Sequence, residues 1–116
     1  MDWSHALGKE EPLRNFLAKL GSRPDQWLYV SSESAAIELD TPCHPLVVDE
    51  SELSPEEQDE LDAYPETVGL RCFLCLTQLG DIAENLRQQR PNFSNHELLN
   101  AINFYWSRDA FIDLSE

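Results

Sequence analysis

The chain has 116 residues, 22 acidic against eight basic, a formal net charge of −14 and an apolar fraction of 41%. That length and apolar content point to one domain, 1–116, whose core needs no disulfide or metal, and they exclude global disorder. The negative charge argues against a nucleic-acid ligand, because phosphate is repelled, and no run of about 18 apolar residues is present to span a membrane.

The first residues, Met1-Asp2-Trp3-Ser4-His5, form neither a basic region nor an apolar segment, so no secretory signal is expected there. Pro12 to Leu20 predicts a helix: Pro12 suits the first turn, Leu13, Phe16, Leu17 and Leu20 repeat at helical spacing, and Gly21 ends it. After the turn-like Ser22-Arg23-Pro24-Asp25, the aromatic and branched segment Gln26 to Ser31 predicts a strand. A weaker strand is expected over Ala36 to Leu39. Pro42 and Pro45 bracket Cys43-His44 and argue against a central strand, because proline donates nothing to a ladder. Leu46-Val47-Val48 then reads as a short buried strand.

Ser54-Pro55-Glu56-Glu57 is a capping-box pattern, with a cap serine, proline at the first helical position and glutamate at the third. The apolar content that follows is essentially Leu61 and Tyr64, so a short exposed helix or an acidic loop is expected. Thr67 to Thr77 contains the apolar run Leu70 to Leu76 and predicts a strand. Leu79, Ile82, Ala83 and Leu86 give a helical face from about Gln78 to Gln89, which Pro91 and Asn92 break. Ser94 and Glu97 form a second capping box for a helix to about Arg108, with Phe111 and Ile112 as an apolar tail. The expected core draws on Phe16, Leu20, Trp27, Leu46, Val48, Leu74, Ile82, Leu86, Ile102 and Trp106.

The order of helix, two or three strands, acidic insert at about 49–66, strand and two helices favours α+β over repeated βαβ units. The expected architecture is a small, mostly antiparallel sheet with helices packed on one face.

No constellation of residues carries a catalytic signature, so no enzyme activity and no cofactor are expected. Cys72-Phe73-Leu74-Cys75 has the spacing of half a zinc site, but no second ligand pair stands elsewhere in the chain. A redox pair would sit at a helix start, where the dipole lowers a thiol pKa, whereas both cysteines fall in a predicted strand. Cys43 and His44 are adjacent in an extended segment and point apart. A calcium loop starting at Asp49 fails at its fifth and sixth positions, which hold Leu53 and Ser54. Three cysteines, without a disulfide-framework spacing, fit reduced thiols in a cytoplasmic protein.

The informative signal is the charge pattern. From Pro24 to Leu70 there is no lysine or arginine, yet thirteen of the 22 carboxylates lie there; the rest of the chain is nearly neutral. Nine of them crowd between Asp49 and Glu66. They have no neighbouring base to pair with and they repel one another, a cost that a basic partner relieves. The candidate partner-binding residues are Asp49, Glu50, Glu52, Glu56, Glu57, Asp59, Glu60 and Asp62, with Tyr64 as aromatic anchor. The competing interpretation is a solvated, solubilising face.

The carboxyl-terminal half carries a resemblance. Gly80-Asp81-Ile82-Ala83-Glu84-Asn85, Gln88-Gln89-Arg90-Pro91, Leu98-Leu99-Asn100-Ala101-Ile102-Asn103-Phe104-Tyr105-Trp106 and Asp109-Ala110-Phe111-Ile112 resemble a family of small acidic bacterial proteins. That family is similar to the immunity proteins of toxin–immunity systems, including contact-dependent growth inhibition. Trp27 and Leu46-Val47-Val48-Asp49 extend the resemblance over roughly residues 24–114. It implies stoichiometric inhibition of a basic, nuclease-type toxin by protein–protein contact. The alternative is a nucleic-acid mimic that inhibits a DNA- or RNA-binding enzyme.

Overall fold

A computed structural model describes residues 3–22 and 25–114 of the chain. In chain order the elements are β1 (Glu11–Pro12), α1 (Leu13–Leu17), β2 (Trp27–Ser31), β3 (Pro42–Pro45), a 3-10 turn at Glu50–Glu52, α2 (Pro55–Thr67), β4 (Leu70–Cys75), α3 (Leu76–Gln89) and α4 (Asn95–Arg108). The strands form a sheet in the order β1-β3-β2-β4, each antiparallel to its neighbours. This is the α+β architecture that the order of apolar patterns implies. Arg23 and Pro24, in the middle of the turn expected at Ser22–Asp25, lie outside the described residues.

Period-two alternation divides the sheet. Leu28 and Val30 of β2 are fully buried in the main core, while Tyr29 between them points to the other face. The main core is completed by Leu13 and Phe16 of α1, Leu79, Ile82 and Leu86 of α3, and Leu98, Ala101 and Ile102 of α4. A smaller cluster of Trp3, Ala6, Leu46 and Leu61, joined by the half-buried Tyr29, Val48, Leu53 and Tyr64, lies on the opposite face and is closed by α2, so α2 departs from the expected packing of all helices on one face.

The β2–β4 ladder carries an irregularity that shapes both faces. Tyr29 stands opposite Cys72, but Trp27 stands opposite Cys75, so β4 has one residue more than β2 in that interval. An extra residue turns two neighbours the same way. Phe73 and Leu74 are accordingly both buried in the main core, and Cys72 faces outward beside Tyr29.

β4 runs directly into α3, with Cys75 as the N-cap residue. Gln78 Oε1 accepts from the Cys75 N–H at 3.1 Å, and Asp25 Oδ1 accepts from the Thr77 N–H at 3.0 Å. Asp25 is therefore used to cap α3. The Ser94–Glu97 capping box opens α4, with both reciprocal bonds at 3.1 Å, and Asp109 closes it in the left-handed region at φ 54°.

Several local expectations are corrected. The proline-bracketed segment is β3, an interior strand. The prolines are tolerated there because the donors come from outside them. Leu46 N–H donates to Trp27 O at 2.8 Å, Gly8 N–H to Pro45 O at 2.7 Å and Leu13 N–H to Thr41 O at 3.0 Å. Ala36–Leu39 forms no strand; the Ile37 backbone is paired by a side chain of α4 instead. Leu46–Val48 makes a single bridge, Leu7 to Leu46, and Val47 is 52% exposed. The helix expected over Pro12–Leu20 is confined to Leu13–Leu17. Trp27, expected in the core, is 40% exposed, because the alternation that buries Leu28 and Val30 turns it to the other face.

Candidate functional site

The acidic insert folds into the 3-10 turn and the thirteen-residue α2, longer than the short helix or loop expected. Asp49 caps the turn: Oδ1 accepts from Ser51 N–H at 3.0 Å and from Ser51 Oγ–H at 2.6 Å. These bonds hold its carboxyl below the usual carboxylate range, the side-chain bond contributing most. Gln58 Nε2 then ties turn to helix by donating to Glu50 O at 3.1 Å and Leu53 O at 3.3 Å. Ser54 and Glu57 form the reciprocal capping box, with bonds of 3.2 and 3.1 Å. Leu61 and Pro65 are the buried contacts of α2.

At 100° per residue, the face opposite Leu61 and Pro65 carries Glu56 and Asp59, with Glu60 on one flank and Asp62 and Glu66 on the other. All five are exposed. Glu60 Oε2 lies 3.4 Å from the Trp3 indole N–H, on the flank where residues before β1 cross α2. The ion pairs between described residues are Arg14–Asp40, Arg87–Glu84 and Arg90–Glu97, and His44 lies beside Glu10. None of them involves a carboxylate between Asp49 and Glu66.

Thus Asp49, Glu50 and Glu52 lie on the turn, and Glu56, Asp59, Glu60 and Asp62 stand at exposed positions of the helix that follows it. Three of the nine candidate residues have structural duties, Asp49 as the cap of the 3-10 turn among them. Glu57 is committed to the capping box, and Tyr64 is half-buried against the Trp3–Leu61 cluster.

The exposed aromatic beside this surface is Trp27. A groove of about 610 Å³ lies between α2 and the outward face of β2 and β4. Tyr29, Pro65 and Leu70 form its floor, Trp27 stands at its edge, and Glu50, Asp62 and Glu66 rim it. A second groove of about 540 Å³ adjoins it, lined by Asp25, Val47, Val48 and Asp49, and Trp27 and Glu50 belong to both. Trp27 is therefore a ridge between two acid-edged grooves.

Titration within the larger groove reflects this field. Tyr29 is pushed up to about 12, first by burial and then by Cys72, Glu50 and Asp62. Cys72 is raised by burial and, after Cys75, by the same two carboxylates. Arg71 is the basic residue at the groove among the described residues, and its guanidinium is engaged elsewhere. It lies 4.3 Å from the Trp106 ring centroid and donates to the Ser34 carbonyl.

The other polar constellations have structural explanations. Cys43 is buried in the main core, with its thiol pushed up to about 12 by burial. His44 points away to Gly8 O at 3.4 Å and Glu10 at 3.6 Å, as adjacent strand residues must. Cys72 and Cys75 are free thiols, the latter buried at the start of α3. Among the described residues no three His, Cys, Asp or Glu side chains converge to hold a metal ion, and no helix is long and apolar enough to cross a membrane.

Sequence patterning missed Trp27 because large aromatics are usually core residues. The available signal was the alternation Trp27-Leu28-Tyr29-Val30, which allows only one of its two pairs to face the main core.

No significant match was found among curated proteins or among solved structures. A family profile described as a domain of unknown function, DUF7716, matches residues 10–114, and the chain belongs to that family.

Proposed function

We propose that the protein is a cytoplasmic binding protein without turnover of its own, an immunity protein that neutralises a basic, nuclease-type toxin by covering its phosphate-binding surface. The observation that carries this reading is the outward face of α2 and the preceding turn. They present carboxylates with no basic partner among the described residues. A solvated face alone gains nothing from such crowding, whereas a basic partner converts the self-repulsion into attraction and is steered to the surface. The resemblance of the carboxyl-terminal half to small acidic immunity proteins points the same way.

The test is binding to the product of the adjacent gene across a salt series. The wild-type protein should associate faster at low salt, and Glu56→Lys, Asp59→Lys and Glu60→Lys together should slow association more than they alter folding. Glu57 is left intact because it caps α2. Salt-independent binding, or an unchanged rate in the triple variant, would return the surface to a solubilising role. Capture of a DNA- or RNA-binding enzyme in place of a toxin would favour the nucleic-acid mimic.

A further inference from the structure

We propose that the groove between α2 and the outward face of β2 and β4 receives an arginine side chain from a basic protein partner, laid across Trp27 and held by Asp62 and Glu66. The inference rests on the basic-partner reading and adds where that partner inserts and with which residue type. Its basis is the pairing of two unlike surfaces in one concavity.

The floor is aromatic and aliphatic, and Trp27 remains 40% exposed at its edge, leaving indole surface open to a partner. The rim is acidic, and the one basic residue there among the described residues is turned away onto Trp106. The occupant must therefore bring apolar or planar surface and positive charge together. A metal ion brings no surface for the floor, and no metal-holding group of side chains exists among the described residues. Nucleic acid brings planar bases, but its phosphates would meet Glu50, Asp62 and Glu66.

A long cationic side chain meets both requirements. Arginine suits it better than lysine, since its guanidinium stacks on an indole and offers a fork of donors to carboxylates. The volume of about 610 Å³ falls in the range of roughly 300–1,000 Å³ that holds a drug-sized molecule, which is room for such a side chain with its flanking backbone. Asp62 and Glu66 stand four residues apart on α2, so both reach the groove from one helix flank.

The full chain should be titrated at low salt with nona-arginine and nona-lysine peptides. Two double variants remove equal charge: Asp62→Asn with Glu66→Gln at the groove, and Glu56→Gln with Asp59→Asn on the outward face. Trp27→Leu removes the indole. The groove pair should weaken nona-arginine binding by about tenfold and the outward pair by less than about threefold, with nona-lysine bound more weakly than nona-arginine. Cys72, the exposed thiol in the groove, gives an independent readout, because bound nona-arginine should slow its alkylation. Equal losses in the two pairs, or Cys72 alkylated at the same rate with peptide bound, would overturn the groove while leaving the acidic surface as the partner site. Failure of the wild type to bind either peptide would overturn both.

Discussion

Asn103 pairs with the backbone of Ile37 as a neighbouring strand would. Its Oδ1 accepts from Ile37 N–H at 2.8 Å and its Nδ2 donates to Ile37 O at 2.9 Å, across 66 positions of sequence. The same Nδ2 donates to Leu99 O at 3.0 Å, which anchors the amide on α4. Ile37 is fully buried against the main core, so its polar backbone groups need partners that water does not supply there.

Asn103→Ala should therefore cost about 2–6 kcal/mol, because it leaves a buried donor and acceptor unsatisfied at about 1–3 kcal/mol each. A urea midpoint is the measurement. Loss of only a few tenths would mean that water enters at Ile37 and the amide clamp is dispensable.

Truncation after Pro91 removes that clamp together with Leu98, Ala101 and Ile102, all buried in the main core. The exposed remnants of α3, above all Ile82 and Leu86, would face solvent. The product should be insoluble, or compact without cooperative unfolding, by calorimetry and near-ultraviolet circular dichroism. A sharp thermal transition in the fragment would place α4 outside the folding unit.

Much of this arrangement was legible because local chemistry and packing agree. Ser54 and Ser94 announce helix starts by their own side-chain bonds, and Leu79, Ile82, Ala83 and Leu86 mark a buried face by spacing alone. The failures lie where a distant partner decides. Pro42–Pro45 enters the sheet because Leu13, Gly8 and Leu46 supply the donors on its behalf. Ala36–Leu39 is drawn out of strand geometry by Asn103, a residue whose sequence context says only that it lies on a helix.

The two serine capping boxes should each contribute about 1 kcal/mol, the usual loss on replacing a cap serine by alanine. Ser94→Ala should lower global stability by that amount, since α4 belongs to the main core. Ser54→Ala should act mainly on α2, which contacts the smaller cluster. Hydrogen exchange separates the two. Equal loss of protection throughout the chain in both variants would show that α2 unfolds only with the whole.

Glu97 provides a pH signature. Its carboxyl lies below the ordinary range, held there first by the Ser94 backbone N–H and then by Arg90. A carboxylate depressed on folding contributes stability that is present above its unfolded value, about 4.3, and lost as pH falls through the folded value. Glu97→Gln keeps the neutral capping geometry and loses the charge. The gap in urea midpoint between wild type and Glu97→Gln should be open at pH 6 and close on acidification to pH 3. A gap independent of pH would assign the effect to packing.

The candidate site was legible as charge and illegible as shape. Asp49 to Asp62 could be named from composition, but composition does not tell that Glu57 is spent on a cap, that Tyr64 is drawn into the Trp3–Leu61 cluster, or that Asp25 caps α3. Trp27 and Glu66 enter only when strand alternation and helix rotation bring them to the same groove.

Glu66 brings stability and binding into opposition. It lies in the last turn of α2, where no basic residue balances the dipole and a negative charge meets the negative helix end. Its carboxylate also stands one turn from Asp62 on the same flank, a like-charge i,i+4 pair. Glu66→Gln should therefore raise stability by about 0.3–1 kcal/mol, with the gain shrinking as salt screens the charges. The same change should weaken binding of a basic partner at the groove. Urea midpoints at low and high salt give the first quantity, and titration of the partner under the same conditions gives the second. A variant that is more stable and binds as well as wild type would show that this carboxylate is not retained for the partner. One that is less stable would mean that Glu66 has a stabilising contact outweighing both repulsions.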